Sequence, residues 1–289
     1  MTSAATQQGA LVPVGLPISG NTILFALVGD PVRQAMLPTL FNPMLAEQGV
    51  DAVMLPVHAP QDRFDEVMRG LQAIGNVAGI AVTVPHKSSA LAYADEITPA
   101  AEAIGAINAL RRNPDGTWTG DNFDGRGFVA GLAASDIDPA GLTVTLVGTG
   151  GAGSALAVAL LDAGVGTLRL YDRDTTKATE VAARVEQRSH GTVRVTDTLN
   201  LTGADLVINA TPLGMHVDDP LPFDPTGLEP HAVVADIIMK PDQTPVMKRA
   251  RELGYMVHPG LHMLTNQLDC YRKFFSNTLS AVGSSENQV

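Results

Sequence analysis

Cysteine is almost missing from this chain: Cys270 is the only one. Neither an intrachain disulfide nor a cysteine-based metal site can be built from it, which fits a reducing, cytoplasmic setting. A free cysteine of this kind is usually a helix-packing residue. Also missing is any run approaching the ~18 apolar residues of a membrane span. The first twenty residues carry no basic region followed by an apolar one, so neither a spanning helix nor a secretory leader is expected. Basic residues are scarce as well. Lys and Arg number 19 against 30 Asp and Glu, a formal charge of −11 with no local basic cluster, and that balance repels nucleic acid and anionic lipid. None of the seven histidines shows paired zinc-site spacing. His258 and His262 are four apart, but Pro259-Gly260 between them breaks the helix this spacing needs. The expected partners are a small-molecule substrate and, at most, a second copy in a homodimer.

What is present is ordinary for a globular protein, with 45% apolar and 17% charged residues, and 289 residues suffice for two modest domains. Residues 1–20, dominated by Gly, Ser, Thr, Gln and Pro, read as a loose tail. From Ile23 onward, short β-branched runs alternate with amphipathic stretches, the pattern of βα units on a parallel sheet. Strands are expected at residues 23–28, 53–57 and 77–82, with helices at 37–48 and 63–73 that end at Gly49 and Gly75. The alternation restarts at 142–147, a near-continuous apolar run suited to a strand buried on both faces, and continues with 168–171, 206–208 and 233–235. A seam is expected near Gly125–Gly131, after the polar, Gly-rich segment 120–127. A last long helix is expected over about 263–279.

Gly148-Thr-Gly-Gly-Ala-Gly153 follows the strand at 142–147 directly and opens a helical stretch at 154–161. Gly148 makes the tight turn, Gly150 lets the backbone approach a pyrophosphate, and Gly153 allows close helix–strand packing; Gly151 and Ala152 complete the loop, and the helix N-terminus that follows faces the anion. Such a loop alone is often only a turn; its place between strand and helix makes it a dinucleotide loop. Asp172 closes the next strand, 19 residues beyond Gly153. A carboxylate there hydrogen-bonds ribose hydroxyls and repels a 2′-phosphate, which favours NAD over NADP. Arg173 pulls the other way, since a guanidinium pairs with a 2′-phosphate or stacks on adenine. The bland alternative is that Asp172 merely caps the turn.

Val82-Thr-Val-Pro-His-Lys87 ends the third strand, and Gly120-Asp-Asn-Phe-Asp124 ends the first unit. Hydride transfer at an alcohol needs a group that accepts or returns the hydroxyl proton, and a Lys beside a carboxylate can do so. Taken alone, such a pair is more often a surface ion pair. These two segments, together with Ile104-Gly-Ala-Ile-Asn108, Asn209-Ala-Thr-Pro-Leu-Gly-Met215, and Gly260-Leu-His-Met-Leu264 with Gln267, resemble the shikimate dehydrogenase family in its own order, from Gly29 to the final helix.

The resemblance implies an α/β protein of two domains. Residues 21–125, joined by a returning C-terminal helix at 260–289, form the substrate domain; residues 126–259 form a Rossmann-type, doubly wound dinucleotide domain. It implies reversible oxidation of a ring hydroxyl to a ketone, with Lys87 and Asp124 on the reacting hydroxyl. Asn108 and Gln267 match positions that hold other substrate hydroxyls, with Thr83 in the same pocket. Asn209, Thr211, Pro212, Gly214, Met215, Gly260 and Met263 match cofactor-contacting segments. Two alternatives stand beside this: an inactive dinucleotide-binding regulatory paralogue, and a dehydrogenase of similar build acting on a pterin.

The chain departs from the family where substrate is gripped. Ala35 and Leu37 stand where the family has two serines that bind the substrate carboxylate. Ala81, Ala109, Phe123 and Met239 replace Asn, Thr, Thr and Tyr. Arg33, Gln34 and His86 are candidates to replace the lost donors. Arg33 would be a bidentate guanidinium, or else a solvated loop arginine. Phe123 and Met239 either make room for a flatter ring or simply pack.

Overall fold

The computed structural model describes residues 18–186, 191–216 and 218–285, with side chains to 276. Most of the segment read as a tail, residues 1–17, lies outside the described residues, as do His190 and residues 286–289. The chain starts with β1 (Ile23–Gly29), α1 (Leu37–Glu47), β2 (Ala52–His58), α2 (Phe64–Ala73) and β3 (Val77–Val82). It continues with β4 (Glu96–Ile97), α3 (Pro99–Ile104), β5 (Ala109–Arg112) and β6 (Trp118–Asp121). These strands form one sheet in the order β2-β1-β3-β5-β6-β4. Its parallel part is β2, β1 and β3, and β5 turns back antiparallel to both β3 and β6. All six residues of β3 are buried, as a strand covered on both faces requires.

After α4 (Asp124–Ala133) come β7 (Thr143–Val147), α5 (Gly151–Asp162), β8 (Thr167–Tyr171), α6 (Thr175–Glu186) and β9 (Thr192–Val195). Then follow β10 (Leu206–Asn209), β11 (Val233–Asp236), α7 (Pro245–Glu252), β12 (Met256–His258) and α8 (Leu261–Ser285). The second sheet is wholly parallel in the order β12-β11-β10-β7-β8-β9. Counted within the sheet, that is the 3-2-1-4-5-6 order of a dinucleotide-binding fold. Its topological switch lies between β7 and β10, where a ligand crevice opens at the strand carboxyl ends.

The fold is therefore α/β with two domains, and α8 returns from the second sheet to pack on α1, β3 and β5 of the first. Phe275 of α8 lies 4.7 Å from the Phe25 ring and 6.0 Å from Phe41. Gly79 in β3 makes this possible, because a Cβ there would run into the Phe275 ring. Burying side chains of this size contributes about 1.5–3 kcal/mol each.

Three expectations are sharpened or corrected by the structure. The glycines at 125, 127 and 131 lie within α4, a helix rather than a loose linker, where they let other elements approach closely. A Cβ on Gly125 would strike the Ala155 carbonyl of α5, one on Gly127 would strike Gln267 of α8, and one on Gly131 would press on His262. Gly75 does not cap α2, whose C-cap is the extended Ile74. Gly49, by contrast, sits just past α1 at φ +67° and donates to the Ala46 carbonyl, as a helix stop does. Finally, Pro259-Gly260 does separate β12 from α8, yet the His258 and His262 rings still meet, with centroids 4.9 Å apart.

Candidate active site

Lys87 is carried by the turn that follows β3, fixed by His86 N–H donating to the Thr83 carbonyl at 3.0 Å. The Lys87 carbonyl accepts from Ile107 N–H at 3.0 Å, which ties the turn to the segment leading into β5. Asp124 is the first residue of α4, where a carboxylate is favoured by the helix dipole. Lys87 Nζ donates to Asp124 Oδ2 at 2.5 Å, and Asp124 Oδ1 accepts from Asn108 Nδ2 at 3.0 Å and Gln267 Nε2 at 3.2 Å. Three donors thus surround one carboxylate whose side chain is 4% exposed. Such a buried pair is costly to break from either side, because the survivor is left desolvated and unpaired.

The partners are themselves held. Asn108 Oδ1 accepts from Phe123 N–H, Asn122 Oδ1 accepts from Asp124 N–H, and the Tyr271 hydroxyl donates to the Asn108 carbonyl. Four segments distant in sequence therefore converge on one carboxylate, and both Gln267 and Tyr271 arrive on α8.

Lys87 and Thr83 line a cleft of about 340 Å³ whose opposite wall comes from the second sheet. There Gly150, Gly151 and Ala152 present the bare N-terminus of α5. The glycines are required by the path of the loop. Gly148 has φ +98°, where a Cβ would meet Ala210, and a Cβ on Gly153 would enter the Gly148 carbonyl. A Cβ placed on Gly151 would come within 3.3 Å of Lys87 Cβ, so the loop runs directly past the lysine. Unsatisfied amides at a helix start bind phosphate well, so these residues fit the pyrophosphate of a dinucleotide.

Asp172 supports the same loop. Its Oδ2 accepts from Thr149 N–H at 2.8 Å and the Thr149 hydroxyl at 3.0 Å, and its Oδ1 accepts from Asp174 N–H at 3.0 Å. Burial alone would raise its pKa. The hydrogen bonds from Asp174 and Thr149, with the charge of Lys177, overcome burial and hold the carboxyl below its usual range. Arg173 is exposed.

Beyond β10, Thr211, Pro212 and Met215 line the cleft together with Met263 of α8. Asn209 is fully buried beneath them; it donates to the Leu213 carbonyl and to Asp236 and accepts from Thr211. Gly214 takes φ +111° and donates its N–H to Asp219. Gly260 sits against the Ile237 carbonyl, where no Cβ would fit.

Sequence reasoning missed Asp236. It ends β11 and accepts from Asn209, Thr244 and Ile238 N–H, while burial pushes its pKa up to about 6 against those hydrogen bonds. A carboxylate closing a buried parallel strand was the signal. Ser88, Ile237, Ile238 and Lys240 also line the cleft without having been singled out. Among the described residues no group of three or more His, Cys, Asp or Glu is arranged to hold a metal ion, and no helix is long and apolar enough to cross a membrane.

Residues 27–110 match the family described as the shikimate dehydrogenase substrate binding domain. A shikimate dehydrogenase (NADP(+)) of Rubrobacter xylanophilus is 36% identical over 255 residues, covering 86% of this chain and 89% of the relative. The chain belongs to the shikimate dehydrogenase family. Among solved structures it is similar to quinate dehydrogenase of Corynebacterium glutamicum in complex with NAD (TM-score 0.78, 28% identity, covering 91% of this chain and 99% of the other). It is likewise similar to the ligand-free 5-ketofructose reductase of Gluconobacter sp. strain CHM43 (TM-score 0.76, 28% identity, 91% and 98% covered).

Within this shikimate dehydrogenase framework the departures from the family pattern sort themselves by position. Ala35, Gln34 and Met239 line the cleft. Leu37 is 4% exposed in the core, and Ala81 and Ala109 are fully buried partners across β3 and β5. Phe123 packs rather than making room, with Tyr271 at 4.9 Å, Phe274 at 5.3 Å and the Arg126 guanidinium over its ring at 4.7 Å. Two candidate replacement donors do not reach the cleft. Arg33 is exposed and does not line it, and His86 is stacked on Phe64 at 4.0 Å with Nε2 against the Ala59 carbonyl.

Proposed function

We propose that this chain catalyses the reversible, NAD(P)-dependent oxidation of a ring hydroxyl of shikimate or a related cyclic polyol to the ketone. The observation that carries this reading is the Lys87–Asp124 pair, at 2.5 Å, on the wall of a cleft whose other wall is a bare helix N-terminus. When bound there, the dinucleotide supplies the hydride acceptor or donor. In reduction, the Lys87 ammonium hydrogen-bonds the ketone oxygen and gives up a proton as the alkoxide forms; in oxidation it takes that proton back. Asp124 anchors the ammonium and shares the reacting hydroxyl. Thr83 faces the substrate, and Asn108 and Gln267, now held by Asp124, hold its other hydroxyls. We take residues 21–125 with 260–289 as the substrate domain and 126–259 as the dinucleotide domain, the boundary falling within α4.

Of the two cofactors, NAD is the one we favour. An ionised Asp172 beside the loop repels a 2′-phosphate, as the acidic residue of NAD-binding loops does. The Rubrobacter relative carries NADP(+) in its name, and Arg173 and Lys177 are the cations an NADP reading would use. The 5-ketofructose reductase, by its name, acts on a keto sugar, so substrates beyond shikimate lie within the range of this fold. Nothing in the site favours an inactive regulatory paralogue, because every member of the Lys87 cluster is in hydrogen-bonded place. The test is an initial-rate screen of shikimate, quinate and analogues with NAD and with NADP. A kcat/KM preference for NAD is expected; a clear NADP preference overturns the reading of Asp172, and no turnover with any polyol overturns the activity.

A further inference from the structure

Resting on the oxidoreductase reading of the same cleft, we infer that the substrate is uncharged: a polyhydroxylated alcohol or ketone that lacks a carboxylate. Charge around the cleft decides this. Two ammonium groups line it, Lys87 and Lys240. Lys87 is neutralised by Asp124, and its remaining hydrogens are needed at the reacting oxygen. Lys240 is exposed, so water and salt screen it.

Other cations nearby are committed or turned away. Arg126 pairs with Asp121 at 2.6 Å, and Arg111 lies over the Phe274 ring and reaches Asn113. Arg33 and His86 do not line the cleft. A carboxylate brought out of water without a cation, or a set of donors in its place, is strongly disfavoured.

Apart from Asn108 and Gln267, which hold ring hydroxyls in that reading, the donors on the cleft wall are Gln34, Thr83 and Ser88, while Ala35 and Met239 present only a methyl group and a thioether. The pair of hydroxyls that grips a carboxylate in the family is gone with Ala35 and Leu37, and the three donors left stand on two segments, Gln34 after β1 and Thr83 and Ser88 after β3, where they suit hydroxyls and carbonyls. A site with that chemistry accepts a neutral polyol and leaves an acid's charge unanswered.

The experiment compares matched pairs that share their hydroxyls and differ in charge: shikimate with methyl shikimate, and quinate with methyl quinate. A neutral keto sugar and an inositol are added, all with both dinucleotides. The ester is expected to exceed the acid in kcat/KM by about ten-fold or more, the value of one charge-assisted hydrogen bond. Gln34→Arg, which adds a cation at the wall, is expected to shift the ratio toward the acid by a similar factor. Equal kcat/KM for acid and ester, or preference for the acid, overturns the inference; so does a loss of acid turnover in Lys240→Ala with ester turnover unchanged, which would make Lys240 the anchor. If no compound of either charge turns over while thermal shift still reports dinucleotide binding, the oxidoreductase reading itself fails and the inference falls with it.

Discussion

Lys87 has a proposed part in proton transfer and a structural contact with Asp124, and the two separate on substitution. Lys87→Ala is expected to lower kcat by ~10²–10⁴, the usual worth of a positioned proton donor, while dinucleotide affinity measured by fluorescence titration stays near wild type. It is also expected to lower stability, since Asp124 remains at 4% exposure with its charge unpaired. Unchanged turnover in that variant would remove the role. Two other buried groups set the acid response. Asp236 keeps its proton up to about pH 6, whereas the unfolded chain releases it near 3.8, so its contribution to stability is full below 3.8 and declines as pH rises toward 6. His258, lowered to about 4 by burial and by neighbouring His262, refuses a proton that the unfolded chain accepts near 6.5. Its contribution is therefore full above 6.5 and declines as pH falls toward 4. Between pH 4 and 6 the two oppose each other. Asp236→Asn is expected to leave stability rising with pH across that window by about 1.4 kcal/mol per pH unit, and His258→Leu to leave it falling. Urea midpoints followed through Trp118, the only tryptophan and a buried one, read both slopes.

At the scale of elements, the glycines of α4 are a packing surface, and substitution tells them from glycines that merely occur in helices. Gly125→Ala pushes a Cβ into the Ala155 carbonyl and to 2.7 Å from Ala159, and is expected to cost about 1–3 kcal/mol in chemical denaturation. Gly70→Ala in α2 meets nothing within 4 Å and is expected to gain roughly 0.5–1 kcal/mol. The same contrast explains what the sequence discloses. Strands buried on both faces, such as β3, β7, β10 and β11, announce themselves as apolar runs, and the glycine loop announces its helix. The strands β4, β5, β6, β9 and β12 do not: β4 is two exposed residues, β9 carries Arg194 among exposed neighbours, and β5 ends in two arginines. The Gly125–Gly131 stretch is ambiguous in sequence because glycine signals both a linker and a close approach, and only the partner helices show the second. In the site, motif order brings Lys87, Asp124, Asn108 and Gln267 together, but nothing local to Phe123 says that its ring turns toward Tyr271.

At the scale of the whole molecule, α8 joins two functions. Its aromatic end completes the core of the first sheet, and its start supplies Met263 to the cleft and Gln267 to Asp124. Phe275→Ala is expected to cost about 3–5 kcal/mol, the range for deleting a buried phenyl ring. It is also expected to lower kcat at a temperature where the fold persists, because the helix carrying Gln267 loses its anchor. A stability loss without any change in rate would confine Phe275 to packing.

The order of synthesis gives that last helix another meaning. A ribosome releases Lys87 and Asp124 into solution while Gln267, Tyr271 and Phe275 are still unmade, so a nascent chain carries its first sheet with one apolar face bare. The reactive pair reaches its full set of donors only after α8 has been made, and a chain cut short before α8 exposes a sticky half-built enzyme rather than a slow one.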